Sequence, residues 1–496
     1  MTLALLLLGS APVLSAGAEL GPDDRIQLAA YARDTWRSMA AMAEHGDLPD
    51  DALRRTENGD WAPSGLSSPT DIAAYLWSTV AAEDLHVIPH DEARQRLGRT
   101  LAVVARLERS HGFFFNWYDT RTGAKALAWP NGVRVRPFLS SVDNGWLAAA
   151  LMVVGNTCPE FHDATEAILA PMDFSFFYDP YDPDNPAGHP GLLRGGYWTD
   201  DASYASFHYG MLNTEPRIAS YIGIARGNLP PDHYYRMQRS GTLASNDLAA
   251  PIRKYDGVEV VEGVRSYRGI QFVPSWDGTM FEALMVPLFV PEADWAPKSW
   301  GINHALYVQA QIDYGMRDAR LGYWGVSAAA DPAGGYRPYG IAALGAGAGA
   351  NPVPSTPESV VTPHASFLAL SFAPKEAMAN LRGLTDHFAA YGPFGFHDSV
   401  DVSTKKVSDN VLALDQGMIL AALSQSIGGD VIRRGFSNGA VETAIRQLIS
   451  QERFEAGNKA AQHLNLVGSL PRPAAAGIAV PEGEPGTSKG LRRAGQ

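Results

Sequence analysis

Helical periodicity dominates the chain. Residues 23–44 open on Pro22-Asp23-Asp24, a helix-start pattern, and place Ile26, Leu28, Tyr31, Trp36 and Met39 at intervals that form one buried stripe. Ser68-Pro69-Thr70-Asp71 starts a second helix running through Val80. Further helical runs are predicted over about 91–109, 143–155, 160–170, 215–226, 279–290, 303–319, 375–390, 411–425 and 439–452. Loops rich in Gly, Pro and aromatic residues separate them, at 112–122, 174–202, 322–340 and 391–401. Two strand-like pieces, Val258–Val264 and Ile270–Val273, are too short for a sheet core and read as excursions. The pattern predicts an all-α fold, a helical toroid of hairpins around one axis with long aromatic loops. An irregular helical bundle is the alternative. No fixed-period repeat is visible, which disfavours a solenoid.

The N-terminus departs from this pattern. Leu3 to Leu8 is apolar, Pro12-Val13-Leu14 follows, and Ser15-Ala16-Gly17-Ala18 supplies a small-residue cleavage site, although no Lys or Arg precedes the run. Residues 1–18 are therefore expected to be a signal peptide, and the protein secreted or periplasmic. The single cysteine, Cys158, allows no intramolecular disulfide and by itself would suggest the cytosol. No Cys follows the expected cleavage point, which argues against a lipid anchor, and no later run reaches the roughly 20 apolar residues of a membrane helix. A single domain is expected over 19–468. The Gly/Ala/Pro-rich stretch 341–358 reads as a loop within it, and 469–496 as a disordered tail.

Composition narrows the classes of partner. A net charge of −13 argues against a phosphate-binding surface, so nucleic acid is not an expected partner. The 46% hydrophobic content is enough to fill a large core. Eleven Trp and 19 Tyr suit a ligand with apolar faces, sugars among them, and equally suit an aromatic core. No Gly-Lys-Ser/Thr P-loop, His-Glu-x-x-His or Gly-x-Ser-x-Gly motif stands out, and the 13 histidines are scattered. Neither a metal nor a cofactor is expected. The acid-rich 178–185 could offer oxygen ligands to calcium, but its Pro and Asn residues suit a plain loop better.

Three acids in apolar settings carry the candidate chemistry. Glu215 stands at the start of an apolar helix, preceded by Tyr204, Phe207, His208 and Tyr209; desolvation among rings raises a carboxyl pKa, as a general acid near neutral pH requires. Asp143, in Ser-Ser-Val-Asp-Asn-Gly-Trp146, and Glu215 are also explained as helix-start residues, one capping and one favouring the dipole. Asp415 lies in Leu-Ala-Leu-Asp-Gln-Gly-Met, where a buried acid is costly unless paired or functional. Asp277 reads as the cap of a helix that carries Glu282, a candidate for substrate contact. Trp300-Gly-Ile-Asn-His304 and Gly322-Tyr-Trp-Gly325 suggest subsite walls or core.

These motifs resemble the glycoamylase-like family, which includes secreted bacterial endo-β-1,2-glucanases and a domain of cyclic β-1,2-glucan synthases. The matching stretches are 68–80, Gly112-Phe-Phe-Phe-Asn-Trp-Tyr-Asp-Thr-Arg-Thr122, Ser140–Trp146, Thr214–Ile218, Trp276–Glu282, Trp300–His304, Tyr391-Gly-Pro-Phe-Gly-Phe-His-Asp-Ser-Val400 and 414–417. The resemblance implies an (α/α)6 toroid with a glucan-binding cleft on its axis. It implies a glycoside hydrolase in which Glu215 is the general acid, Asp415 serves the base side with inversion, and Asp143 lines the cleft. Tyr118, Asp119, Trp146, His208, Tyr209, Trp276, Asp277, Glu282, Trp300 and His304 are then expected around the sugars. The expected partner is a glucan or oligosaccharide, with no membrane, and the expected state is a monomer. A transglycosylase or a non-catalytic glycan-binding protein would share the same walls.

Overall fold

The computed structural model describes residues 20–44, 46–240, 250–346 and 359–457. The expected signal peptide, most of the 341–358 loop and the expected tail lie outside the described residues. Helices dominate, and the sheets are small.

The helices are α1 (Pro22–Met42), α2 (Pro69–Asp84), α3 (His90–Val104), α4 (Ser141–Thr157), α5 (His162–Leu169), α6 (Arg217–Ala225), α7 (Asp232–Arg236) and α8 (Met280–Leu284). They continue as α9 (Glu292–Trp295), α10 (Trp300–Asp313), α11 (Pro363–Leu368), α12 (Pro374–His387), α13 (Ala413–Ile427), α14 (Val431–Phe436) and α15 (Gly439–Ser450). Each predicted helical run holds a helix, with ends shifted by a few residues in either direction. The 279–290 run breaks after Leu284, before Pro287, whose ring cannot continue an α-helix. The 215–226 run begins at Arg217, which leaves Glu215 in the preceding turn. Helices α7, α9, α11 and α14 span four to six residues, too few to display a period.

Burial sorts the helices into two sets. In α2 every residue from Pro69 to Ala82 is buried, and α4, α6, α11 and α13 are apolar on nearly all sides. By contrast α1, α3, α5, α12 and α15 bury one face and leave charged residues in water. The buried set packs as a chain of neighbours: α2 lies between α13 and α4, α4 reaches α6, and α13 reaches α11, which touches α8. Between α6 and α8 the link is polar, with Arg217 Nη2 donating to the Ala283 carbonyl at 3.2 Å.

Two glycines permit this close packing. A Cβ on Gly145 of α4 would stand 2.7 Å from the Ala219 Cβ of α6, and one on Gly417 of α13 2.8 Å from the Ala74 Cβ of α2. Both follow a candidate acid by two residues, so the Asp143-Asn-Gly and Asp415-Gln-Gly motifs join a carboxylate to a helix contact. The strands run for two to four residues and pair antiparallel. One three-stranded sheet joins distant parts of the chain, aligning Leu53 with Pro63 on one side and Val411 on the other.

Candidate active site

The starts of the buried helices bring their polar side chains together. Ser68 caps α2 and forms a reciprocal box with Asp71; Ser140 caps α4 at Asp143 N; Thr279 caps α8 at Glu282 N. Asp143 is thus the third residue of its helix rather than the cap. Its carboxylate does not turn back onto its own helix; it accepts the Thr70 hydroxyl of α2. Glu282 likewise reaches outward, accepting the backbone N–H of Glu215 at 3.2 Å. Helix dipoles favour acids at these positions, but crowding several acids into one place works against their ionisation.

Asp51, Asp71, Asp143 and Glu215 line one cavity of about 840 Å³. Half-buried Trp117 and partly exposed Trp129 also line it, their ring centroids 4.9 Å apart. Tyr336 reaches the same cavity from the hairpin Ala329–Ala330/Tyr336–Arg337. A larger hollow of about 1130 Å³ opens at the other ends of α2 and α13. Its acids are engaged: Glu83 pairs with His90 and Arg94, and Asp84 accepts Ser424 Oγ and Gly429 N. The first cavity is the candidate site because it gathers these four acids from separate parts of the chain.

Burial and mutual repulsion set the protonation of these acids. Glu215 is held well above the usual carboxylate range by desolvation and then by the charge of Glu282, while the Trp146 indole N–H donates to its Oε2 and opposes the rise. Glu282 is raised to about 7, chiefly by desolvation. Asp71 is also pushed well up by burial, with Asp51 adding to it, and Asp51 is raised to about 6.

Asp415, on α13, is 3% exposed and raised to about 7 by burial. Its side chain is hydrogen-bonded to Asp398, which burial and the Asp415 charge push well above the ordinary range. The physical picture is one shared proton, carried by Asp398 and donated to Asp415. His364 Nδ1 lies 3.1 Å from Asp415 Oδ2 without hydrogen-bond alignment, and burial lowers this imidazole to about 4, so it is neutral at physiological pH.

The structure brings some of the expected residues together and separates others. Asp143 and Glu215 line the cavity, Asp415 is buried beside it, and Glu282 contacts Glu215 from below. Tyr209 is close to Glu215, Asp143 and Glu282, and its phenol is bonded to Ser140. Trp146 packs at 5.3 Å against Phe289 and spends its N–H on Glu215, so it orients the acid. The rings expected around Glu215 are partly elsewhere: Phe207 is half exposed, and Tyr204 donates to the Phe176 carbonyl. Trp276 and Asp277 form a turn outside the cavity lining, where desolvation raises the Asp277 carboxyl.

Five residues expected around the sugars are committed within the protein. Tyr118 is buried, donating to the Glu108 carbonyl and accepting from Phe115 N. Asp119 caps the turn at Arg121 and Thr122. His208 shares Asp179 with His189 and Arg194, which also occupies the acid of the 178–185 loop. Trp300 and His304 stack on each other in the core, where Trp300 donates to Tyr234 and His304 contacts Glu292. Sequence reasoning passed over Asp51, Asp71, Trp129, Tyr336, His364 and Asp398 as site residues. For Asp398 a signal existed, a lone acid within an aromatic-rich motif; Tyr336 sits in a Gly-rich loop that carries no pattern.

Comparison with known proteins shows what the chain resembles. Residues 242–436 match the Glycoamylase family model ("Putative glucoamylase"), and residues 31–176 match a model for a protein family of unknown function, DUF3131. The cyclic β-(1,2)-glucan synthase NdvB of Rhizobium meliloti is 25% identical over 575 residues, covering 85% of this chain and 18% of that protein. The chain therefore spans under a fifth of the length of this relative. Among solved structures, the endo-β-1,2-glucanase of Chitinophaga pinensis, in complex with sophorotriose and glucose, superposes with a TM-score of 0.64 at 14% identity, over 87% of this chain and 98% of that one. The endo-β-1,2-glucanase of Talaromyces funiculosus, a mutant in complex with β-1,2-glucan, gives 0.60 at 12% identity, over 86% and 91%. Family model, curated relative and shared fold each make the chain similar to glycoamylase-like proteins.

Proposed function

We propose that the protein is a glycoside hydrolase cleaving β-linked glucan, with β-1,2-glucan as its substrate. The observation that carries the reading is the convergence of two differently held acids on one cavity, Glu215 at the wall and Asp415 beside it. The glucanases and the synthase domain it resembles act on β-1,2-glucan, which favours that linkage. We read α2, α4, α6, α8, α11 and α13 as the inner ring of an (α/α)6 toroid, with the cleft at the helix starts; their neighbour-to-neighbour packing supports this.

Glu215, kept protonated at neutral pH, gives its proton to the leaving glycosidic oxygen while the Trp146 N–H holds the carboxyl in place. Asp415 takes a proton from water, directly or through a relay of waters or a sugar hydroxyl. Its hydrogen bond from Asp398 keeps it an acceptor. One carboxyl gives a proton to the leaving oxygen and the other takes one from water, so the step balances with these two groups alone. Trp117 and Trp129 offer faces for flanking sugars. Residues 1–18 would export the enzyme, which N-terminal sequencing of the mature protein tests.

Purified protein digested against β-1,2-, β-1,3-, β-1,4- and α-glucans tests the function. Short oligosaccharides from β-1,2-glucan are expected, and Glu215→Gln should lose about 10²–10⁴-fold in rate while keeping its fold. Cleavage by Glu215→Gln at the wild-type rate would remove Glu215 from the role. Products lengthened by added sugar acceptors would show transglycosylation instead.

A further inference from the structure

We infer that Tyr336 is a substrate-contacting residue whose hydroxyl hydrogen-bonds the reacting sugar between Glu215 and Asp415. This rests on the glucan-hydrolase reading above and adds a residue that neither the motifs nor the comparisons assign.

The hairpin holds Tyr336 in place from its root. Ala330 pairs with Tyr336, and Ala329 with Arg337. The intervening turn reverses through Gly334 and Gly335, both with positive φ (106° and 85°), a conformation that favours glycine. Asp331 closes the turn, accepting Ala333 N and pairing with Arg337 at 3.4 Å. At the base, Asp398 accepts Ala330 N, and Ser399 Oγ donates to the Ala330 carbonyl. The residue that shares a proton with Asp415 therefore also anchors the strand facing Tyr336. A side chain so mounted has a fixed position relative to the base.

The position itself is unusual. Tyr336 is 58% exposed, yet it lines the acid cavity, and its hydroxyl is within electrostatic reach of Asp415 and Asp398 as well as Glu215 and Glu282. It thus shares the cavity wall with Glu215 and lies near enough to both acid pairs to feel their charge. Among the described residues it has no hydrogen-bond partner, whereas the phenols of Tyr209, Tyr221, Tyr234 and Tyr307 are bonded to Ser140, Glu292, Glu452 and Ser275 respectively. A ring more than half exposed at a cavity wall, with no partner for its hydroxyl among the described residues, adds little to folding. It is suited instead to a polar ligand with apolar faces, the ring covering C–H groups and the hydroxyl meeting a sugar oxygen or the attacking water. The surrounding acids and burial keep the phenol protonated, so it donates at any pH where Glu215 and Asp415 work.

The test compares Tyr336→Phe and Tyr336→Ala with wild type by steady-state kinetics on β-1,2-glucan and by thermal melting. Tyr336→Phe should lower kcat about 10- to 100-fold, the worth of one hydrogen bond to a group bearing charge, at an unchanged Tm. Tyr336→Ala should also raise KM through loss of the ring. A rise in KM alone for Tyr336→Phe supports the same contact, made equally in ground and transition states. Tyr336→Phe turning over within twofold of wild type in both constants overturns the inference and leaves the hydrolase standing. A wild type that neither cleaves nor, by calorimetry, binds any glucan of the panel overturns the hydrolase reading and this inference with it.

Discussion

Replacing Glu292 by Gln tests the frame beneath the candidate acid. Glu292 opens α9 with no exposure, and four donors close on it: Arg217 Nε at 2.8 Å and Nη2 at 2.9 Å, the Tyr221 hydroxyl at 2.7 Å and His304 Nε2 at 3.0 Å. Burial alone would raise its pKa, but the Arg217 charge and these bonds outweigh that and hold it at about 2, against an ordinary 4.5. At 1.36 kcal/mol per pKa unit, this depression is worth about 3 kcal/mol. That agrees with the roughly 3–5 kcal/mol lost when one partner of a buried pair is removed.

Because the folded pKa is depressed, the stabilisation is complete above the unfolded value and fades as pH falls toward the folded one. About 3 kcal/mol at pH 7 falls to roughly half of that at pH 3. For a chain of 496 residues, 3 kcal/mol lowers Tm by about 3 °C. The expected outcome by calorimetry is a Tm gap between wild type and Glu292→Gln of that size at pH 7, shrinking by about half at pH 3. Activity should fall too, since Arg217 also holds the Thr214 carbonyl at 2.8 Å, next to Glu215. An equal melting temperature at pH 7, or a gap that does not close on acidification, would refute this account of the cluster.

Two further predictions concern pH. With Asp415 raised to about 7, kcat/KM should climb as pH rises through about 7, because the base must be ionised, and a basic limb should follow where Glu215, raised by desolvation and by the Glu282 charge, loses its proton. A stopped assay across pH 4–10 reads both limbs; an acidic limb in the ordinary carboxylate range near 4 would exclude Asp415 as the base. Trp146→Phe removes the indole N–H that favours ionised Glu215. The basic limb should therefore move to higher pH and kcat should drop, with the contacts to Trp77 and Phe289 largely kept; an unmoved limb would mean the bond does not tune the acid.

Much of the site was legible because helix starts have local rules. Ser68 announces α2, whereas α4 and α8 are capped by Ser140 and Thr279 and not by Asp143 and Asp277, the acids that the sequence offered as caps. Asp415 stood out because its neighbours on both sides are apolar. The aromatic residues misled, because a tryptophan in the core and one in a sugar subsite have the same composition around them. Trp300 and His304 went inward to the Arg217–Glu292 cluster, while Trp129 stayed at the cavity rim.

The sequence by itself determined the helices, their starts and the presence of lone acids in apolar surroundings, since each depends on residues within a few positions of one another. Tertiary structure alone decided which acids meet. Asp71, Asp143, Glu215, Glu282 and Asp415 come from five different helix starts spread over a span of 345 residues, and only the packing of those helices makes them neighbours. Protonation follows from that packing, because desolvation and like charge act through space. The Asp398–Asp415 proton, the tie from Asp143 to Thr70 and the reach of Tyr336 toward both acid pairs are properties of distance, which no local pattern of residues encodes.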